Sequence, residues 1–463
     1  MTIRNGFLAA IAALSLLAGC SGTDGDNDNN DDNGGNNTSE LKIAEHDAVS
    51  CNADKVCTIG EQGTETTITE DLTVAKTDGV TYRLAGKVFV GDGDKESVLT
   101  IEPGVKIYAL AGTSANISFL TIRQNAKIMA EGTKEKPIVL TTSTKEGERG
   151  RGEWGGLIIN GKAPLNSGKT NTGEGGTGKY GGNSPEDSSG KLKYVRVEFA
   201  GTLITEENEL NGIAFQGVGS GTEVDYIQVH MNKDDGVEFF GGTVNVKHVV
   251  LTGHGDDSMD WTSGWQGKAQ HVVIQQHTDS GGRGIEADNL EEMNDATPRS
   301  RPTISNMTII GGGEKTDEGI LLRRGSGANI YNTIVVNSGG SCLDLDSAAT
   351  YENAWDGSDF SGAISFDGVI VDKCGKAFDS DDDMETPFTV QELFEAGEKT
   401  MKKKAKIKKG GDRTNPDFRI AGDSPAKGAA VSMDDSWFDD ARYIGGVGAD
   451  EDWTAGWTIH AKN

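Results

Sequence analysis

Proline is scarce in this chain, at 9 of 463 residues, while glycine is plentiful at 65. Abundant glycine with little proline suits many tight corners, and strand-like phrases as regular as these exclude a disordered chain. Basic side chains are in deficit: 44 Lys and Arg against 72 Asp and Glu give a formal charge of -28. Phosphate backbones are held by Lys and Arg, which excludes nucleic acid as a partner and points to cations as guests. Beyond Cys20 no apolar run is long enough to cross a bilayer. Helical periodicity is missing from the stretch between Asp234 and Asp288, and repetition stands in its place.

Asp234-Asp235-Gly-Val-Glu238, Asp256-Asp257-Ser-Met-Asp260 and Gly282-Arg283-Gly-Ile-Glu286-Ala-Asp288 open three successive units. The first two end in matching β-branched runs, Lys247 to Leu251 and Gln270 to Ile274. The interval from Val237 to Met259 is nearly the interval from Val249 to Val272. A period in the range of roughly 20 to 50 residues means a solenoid or an array. Apolar residues alternate within a unit, as in Val237 and Phe239 or Met259 and Trp261, which is the pattern of a strand with one buried face. A unit this short cannot contain a crossover helix, so the strands must coil into an all-β parallel β-helix with rungs about 4.8 Å apart.

The phrase Leu99-Thr-Ile-Glu-Pro-Gly-Val-Lys-Ile107 returns as Leu120-Thr-Ile-Arg-Gln-Asn-Ala-Lys-Ile128, with Leu-Thr-Ile and Lys-Ile at the same offsets. With the wording around Pro137 and from Glu153 to Pro164, it resembles a large group of secreted bacterial right-handed β-helix proteins similar in fold to pectate lyases. The resemblance spans roughly residues 80 to 430. It implies the fold and leaves activity open, because one fold carries many functions.

Arg4, the apolar stretch Phe7 to Leu16 and the ending Leu17-Ala18-Gly19-Cys20 read as a processing signal. The ending resembles the bacterial lipobox, which implies cleavage before Cys20 and lipid on its thiol; Ser21, in place of Asp, implies delivery to the outer membrane. Four cysteines remain, and an oxidising compartment favours the disulfides Cys51 with Cys57 and Cys342 with Cys374. The organisation expected is a signal peptide over 1–19, an acidic tether over 20–40, an N-terminal cap over 41–80 and the β-helix over 81–384. Residues 385–463 hold a short helix opened by the capping box Thr389 to Glu392, a closing coil near Asp417 to Gly428, and a C-terminal flap.

Register places Glu238, Asp260, Glu286, Leu321, Asp344 and Asp379 in one column, and Asp235, Asp257, Arg283 and Glu318 in another. Stacked carboxylates about 4.8 Å apart repel unless a cation lies between them, and Ca²⁺ accepts six to eight oxygens in flexible geometry. The expected calcium site is Asp234, Asp235, Asp256 and Asp257 at one corner, followed by Asp260, Glu286 and Asp288. The alternative is a solvated acidic face with Arg283, Arg323 and Arg324 as counter-ions. His248 falls under His271 and His254 under His277, a spacing open to a transition metal. Trp261 and Trp265, echoed by Trp453 and Trp457, are expected to form an aromatic strip for a sugar ring.

Asp234, Asp235, Asp256 and Asp257 also resemble the stacked acids of polygalacturonase-like glycosidases, in which paired carboxylates activate water and protonate the leaving oxygen. The likeness breaks where Gly253-His254-Gly255 precedes its acidic pair instead of following it by one rung. The reading is therefore a monomeric outer-membrane lipoprotein that offers a non-catalytic, calcium-stabilised surface to polysaccharide or another cell-surface partner, within reach of acting beside an outer-membrane receptor. A glycoside hydrolase or polysaccharide lyase using those four Asp residues is the rival.

Overall fold

Alternating side chains leave each repeat with one apolar face, and stacking the repeats buries it. In the computed structural model, Val237–Phe240 pairs in parallel with Met259–Thr262, which pairs with Ile285–Ala287. The same register continues to Ile320–Leu322, Ser341–Leu345 and Lys376–Ser380. The structure describes residues 41–463 except 113–115, 206–207, 280, 315 and 381–383. The expected signal peptide, Cys20 and the expected tether lie outside the described residues.

Each rung adds a longer, bent strand, and these stack as Gly190–Glu198, Glu223–His230, Asn245–Thr252, Lys268–Gln275, Thr303–Gly313 and Ala328–Ser338. The bend is made by one residue at positive φ: Tyr194, Tyr226, His248, His271, Asn306 and Asn332 repeat it with φ between 48° and 58°. L-residues avoid this region, and six in succession hold it because the pleats on either side are fixed by the ladder. Val237, Met259, Ile285 and the bent-strand residues Val249, Val272 and Met307 are all buried in one core. Glycine is required where the chain enters the short strand: a Cβ at Gly284 would stand 2.5 Å from the carbonyl oxygen of Gly319 on the next rung.

Coiling starts earlier than residue 81. Val56–Ile68 already pairs in parallel with Thr81–Val90, so the cap reduces to the 3₁₀ turn Lys42–Glu45 and the strand Val49–Cys51, which runs antiparallel to the first rung. At the other end, helix Val390–Ala396 closes the core with Val390, Leu393 and Phe394, its first turn fixed by the expected Thr389 to Glu392 capping box. Among the described residues no helix is long and apolar enough to cross a membrane.

The expected closing coil is absent. Residues 403 to 463 instead run back along the outside of the bent strands as a strap. Phe418 packs against Val273, Ile310 and Val447 on this outer face, where a further rung would have placed it in the interior. Side-chain amides of the rungs treat the strap as a partner strand. Gln228 accepts from Ile459 N and donates to Ile459 O at 2.8 and 2.7 Å, Gln270 does the same with Asp439 at 2.8 and 3.0 Å, and Asn332 with Val431 at 2.7 and 3.0 Å. Paired amide bonds of this kind satisfy backbone groups that would otherwise be buried unmet.

Both disulfides are present, Cys51–Cys57 and Cys342–Cys374. The second closes a loop with a sequence separation of 32 residues between consecutive long rungs. Loop-closure entropy at that length is worth about 3–4 kcal/mol. Replacing Cys342 and Cys374 together with Ala is expected to lower the stability by that much, and calorimetry of the double variant reads it.

Candidate functional site

The short strands present alternate residues outward, and those next to the buried anchors are acidic. Glu238 is directly across from Asp260, and Asp260 from Glu286. The turns leading into these strands carry Asp235 and Asp257, which are buried at 7% and 3% exposure. Carboxylate oxygens of Asp235, Glu238 and Asp260 lie within 4.8 Å of one another, as do those of Asp257, Asp260 and Glu286. Asp260 belongs to both groups and joins them into one column.

The four corner Asp residues do not form one site, because neighbouring side chains in an extended chain leave on opposite sides. Asp235 and Asp257 turn in towards the column; Asp235 Oδ1 accepts from Asp257 N at 3.0 Å. Asp234 and Asp256 turn away and form a third group with Glu209, again within 4.8 Å. Asp288 belongs to none of the three groups, since Arg323 Nε and Arg324 Nη1 hold it at 2.8 and 2.7 Å.

Positive charge reaches only one end of the column. Arg283 and Arg323 bind Glu286 at 2.7 and 2.5 Å, and Arg283 also reaches Glu318 at 3.0 Å. Among the described residues Asp234, Asp235, Glu238 and Asp260 make no salt bridge. Burial, reinforced by the neighbouring carboxylates, therefore holds Asp235, Glu238 and Asp260 well above the ordinary carboxyl range and pushes Asp234 and Asp257 up to about 8.

Three acids near the site were not in the expected calcium set. Glu238 was visible in the register count as the slot-mate of Asp260. Glu174 and Glu209 were not, because they come from excursions without periodicity. Glu174 lies in the turn of the hairpin Asn171–Gly173 and Gly178–Tyr180, and Glu209 in the hairpin Thr202–Thr205 and Asn208–Leu210. Leu165, Tyr180 and Leu210 pack these excursions onto Phe240, Ile158 and Phe119 on the outer face of the short strands. Burial and Glu209 together raise Glu174 to about 7.

The donor set suits a hard cation. Carboxylates supply oxygen only, and three of them can give up to six ligands to Ca²⁺ if bidentate. Asn211 Nδ2 donates to Glu238 at 2.5 Å, while Asn211 Oδ1 is buried with no protein partner among the described residues. A buried carbonyl oxygen left unmet beside a carboxylate triad is of the kind that would ligate such a cation.

A family model described as pectate-lyase like beta helix domain matches residues 66–458. The chain belongs to that family. No curated protein and no solved structure matches the chain. As in the resemblance drawn from its rung phrases, this pectate-lyase-like chain is an all-β, right-handed parallel β-helix.

The aromatic strip does not exist in this pectate-lyase-like coil. Trp261 and Trp265 are both 0% exposed. Trp265 stacks on Phe239 at 3.8 Å and donates to Val244 O at 3.1 Å, while Trp261 donates to Ser326 Oγ at 3.0 Å. Trp453 and Trp457 belong to the strap, where they press edge-on against the stacked rings of Tyr226 and His248. His248 and His271 are stacked as counted, whereas His277 meets the ring of His230 edge-on, at 6.5 Å.

Proposed function

We propose that this chain is a lipid-anchored outer-membrane β-helix that binds calcium along its carboxylate column and offers that flank, without catalysis, to a polysaccharide or another cell-surface partner. The observation that carries the reading is the pair of triads sharing Asp260, whose like charges no Lys or Arg among the described residues neutralises at the Glu238 end. Calcium held there would keep ligand positions open on its outer side, and hydroxyl or carboxylate oxygens of a glycan are chemically suited to them. The lipobox-like ending at Cys20 supports the anchor, and a tether rich in Asp and Asn supports a domain held away from the bilayer.

Calorimetric titration with calcium tests the core of this reading. Binding is expected in the full chain, with stabilisation of about 2.7 kcal/mol once calcium exceeds its Kd a hundredfold. Absence of heat, together with a melting temperature that ignores chelator, removes the site. A glycan array with and without calcium then tests the partner.

One observation favours the rival reading as a hydrolase or lyase. Asp257, held near 8 by burial, keeps its proton at neutral pH and lies beside Asp235, an arrangement suited to general acid chemistry. Reducing-sugar and unsaturated-product assays on acidic polysaccharides decide between them: turnover abolished by Asp257→Asn would replace the binding reading with catalysis.

A further inference from the structure

The strap leaves the coil on the most basic stretch of an acidic chain. From Lys399 to Ile420 there are nine Lys and Arg against two Asp, where the whole chain carries a formal charge of -28. The stretch is fixed at two points, because Met401–Lys402 pairs in parallel with Ile370 and Val371 and Ile407 bridges Ile420. Ala405 is buried and Ile407 packs beside Ile310, while Lys402, Lys403, Lys404, Lys408 and Lys409 are exposed.

Between this stretch and the bent strands lies an open cleft of about 260 Å³. Ile310, Val336 and Ile407 give it an apolar floor. Lys373, Lys404 and Lys406 stand around it, and Asp372 is the one acid among its lining residues. Among the described residues Lys373 and Lys404 make no salt bridge, and Lys406 is paired at 2.7 Å with Asp423, which is itself 77% exposed. Lys373 and Lys406 hold φ of 58° and 56°, in the left-handed region that L-residues avoid. Glycine or asparagine would make these turns with less strain, so the turns alone do not call for lysine. Lys373 is also fixed from both sides, by Asp372 in the ladder opposite Val336 and by Cys374 in its bridge to Cys342.

We propose that this cleft binds an anionic amphiphile, its phosphate or carboxylate head at Lys373 and Lys404 and the first carbons of its stem on Ile310, Val336 and Ile407. A small hydrated anion gains nothing from the apolar floor, and a neutral apolar molecule gains nothing from the cations around it. A molecule that joins the two matches an apolar pocket with a few convergent charged groups. The net negative charge of the chain does not oppose this, because charges beyond a Debye length of about 8 Å are screened. The site lies apart from the carboxylate column and needs neither calcium nor lipid on Cys20, so it stands or falls separately from both.

The probes are n-alkyl phosphates from butyl to octyl, titrated below their micelle concentrations into the full chain in calcium-free buffer and read by calorimetry. Saturation at one equivalent is expected, with affinity rising about fourfold per CH₂ over the first carbons and levelling off once the stem outgrows the cleft. Inorganic phosphate and octyl glucoside, which carry the head or the stem alone, are expected to bind about tenfold or more weakly than octyl phosphate. Lys373→Gln and Lys404→Gln are each expected to weaken octyl phosphate about fivefold. Both side chains are exposed, and unchanged circular dichroism spectra check the fold of the variants. The Cys20→Ser chain, which carries no lipid, separates the two sources of such a ligand. Its cosedimentation with phosphatidylglycerol vesicles but not with phosphatidylcholine vesicles, suppressed by octyl phosphate, names a bilayer lipid, and no cosedimentation names a free amphiphile. Failure of octyl phosphate to bind, affinity that ignores stem length, or affinity unchanged in both lysine variants overturns the site.

Discussion

With chelator present, the melting temperature is expected to rise as pH falls from about 8 to about 5, and saturating calcium is expected to reverse that trend. The cause is the carboxylate column together with Asp234 of the neighbouring group. Asp234 and Asp257 are raised to about 8, and Asp235, Glu238 and Asp260 well above their ordinary range, chiefly by burial. An unfolded chain loses these protons near pH 4, so between about pH 4 and 8 the native state binds more protons than the unfolded one. Their stabilising contribution is therefore complete below the unfolded values and is lost as pH rises through the folded ones. Each group that keeps its proton only in the native state adds up to about 1.4 kcal/mol per pH unit to the slope.

Calcium competes with those same protons, so its affinity must grow as pH rises. Asp260→Asn separates the column from the general charge of the chain, because Asp260 is shared by both triads. In chelator at about pH 8 the variant should melt above the parent and show a flatter pH slope, since one group whose ionisation burial opposes is gone. In calcium the order should invert. Scanning calorimetry of the two proteins reads all four conditions, and a variant less stable than the parent in chelator would show that the column is not under like-charge strain.

Trp265→Ala is expected to cost about 4 kcal/mol. The indole is wholly buried and stacked on Phe239 at 3.8 Å, and its removal also leaves Val244 O without its side-chain donor. Trp265→Phe keeps the stacking and loses the hydrogen bond, so about 1–2 kcal/mol is expected there. Denaturant midpoints measure both. A glycan-binding role for this residue predicts the opposite pattern, in which stability barely changes and affinity falls.

Vertical register was legible because its cause is local. Alternation along each strand and a nearly constant rung length fix which residues lie across from which, and Val237, Met259 and Ile285 share one core as the counting required. The Trp261 expectation conflicted with that same rule: the alternation that buries Met259 buries the residue two positions on. Trp265 follows a corner at Ser263, with φ of 59°, so its direction could not be carried across from the strand. Glu174 and Glu209 were hidden because loops that leave the coil obey no period. The strap was hidden for a related reason, since Gln228, Gln270 and Asn332 read as ordinary outward polar residues until a distant backbone lies on them.

Along the strap, Gly410 meets Gln275, Val431 meets Asn332, Asp439 meets Gln270 and Ile459 meets Gln228, so the tail crosses back and forth over rungs already made. A chain folding from its N-terminal end can wind its coils as they appear, yet this flank stays bare until the final segment arrives. Anything that delays or clips that segment exposes a long polar ladder to neighbouring molecules. Covering this flank thus reduces to one late event, the zipping of a tail over a scaffold already built.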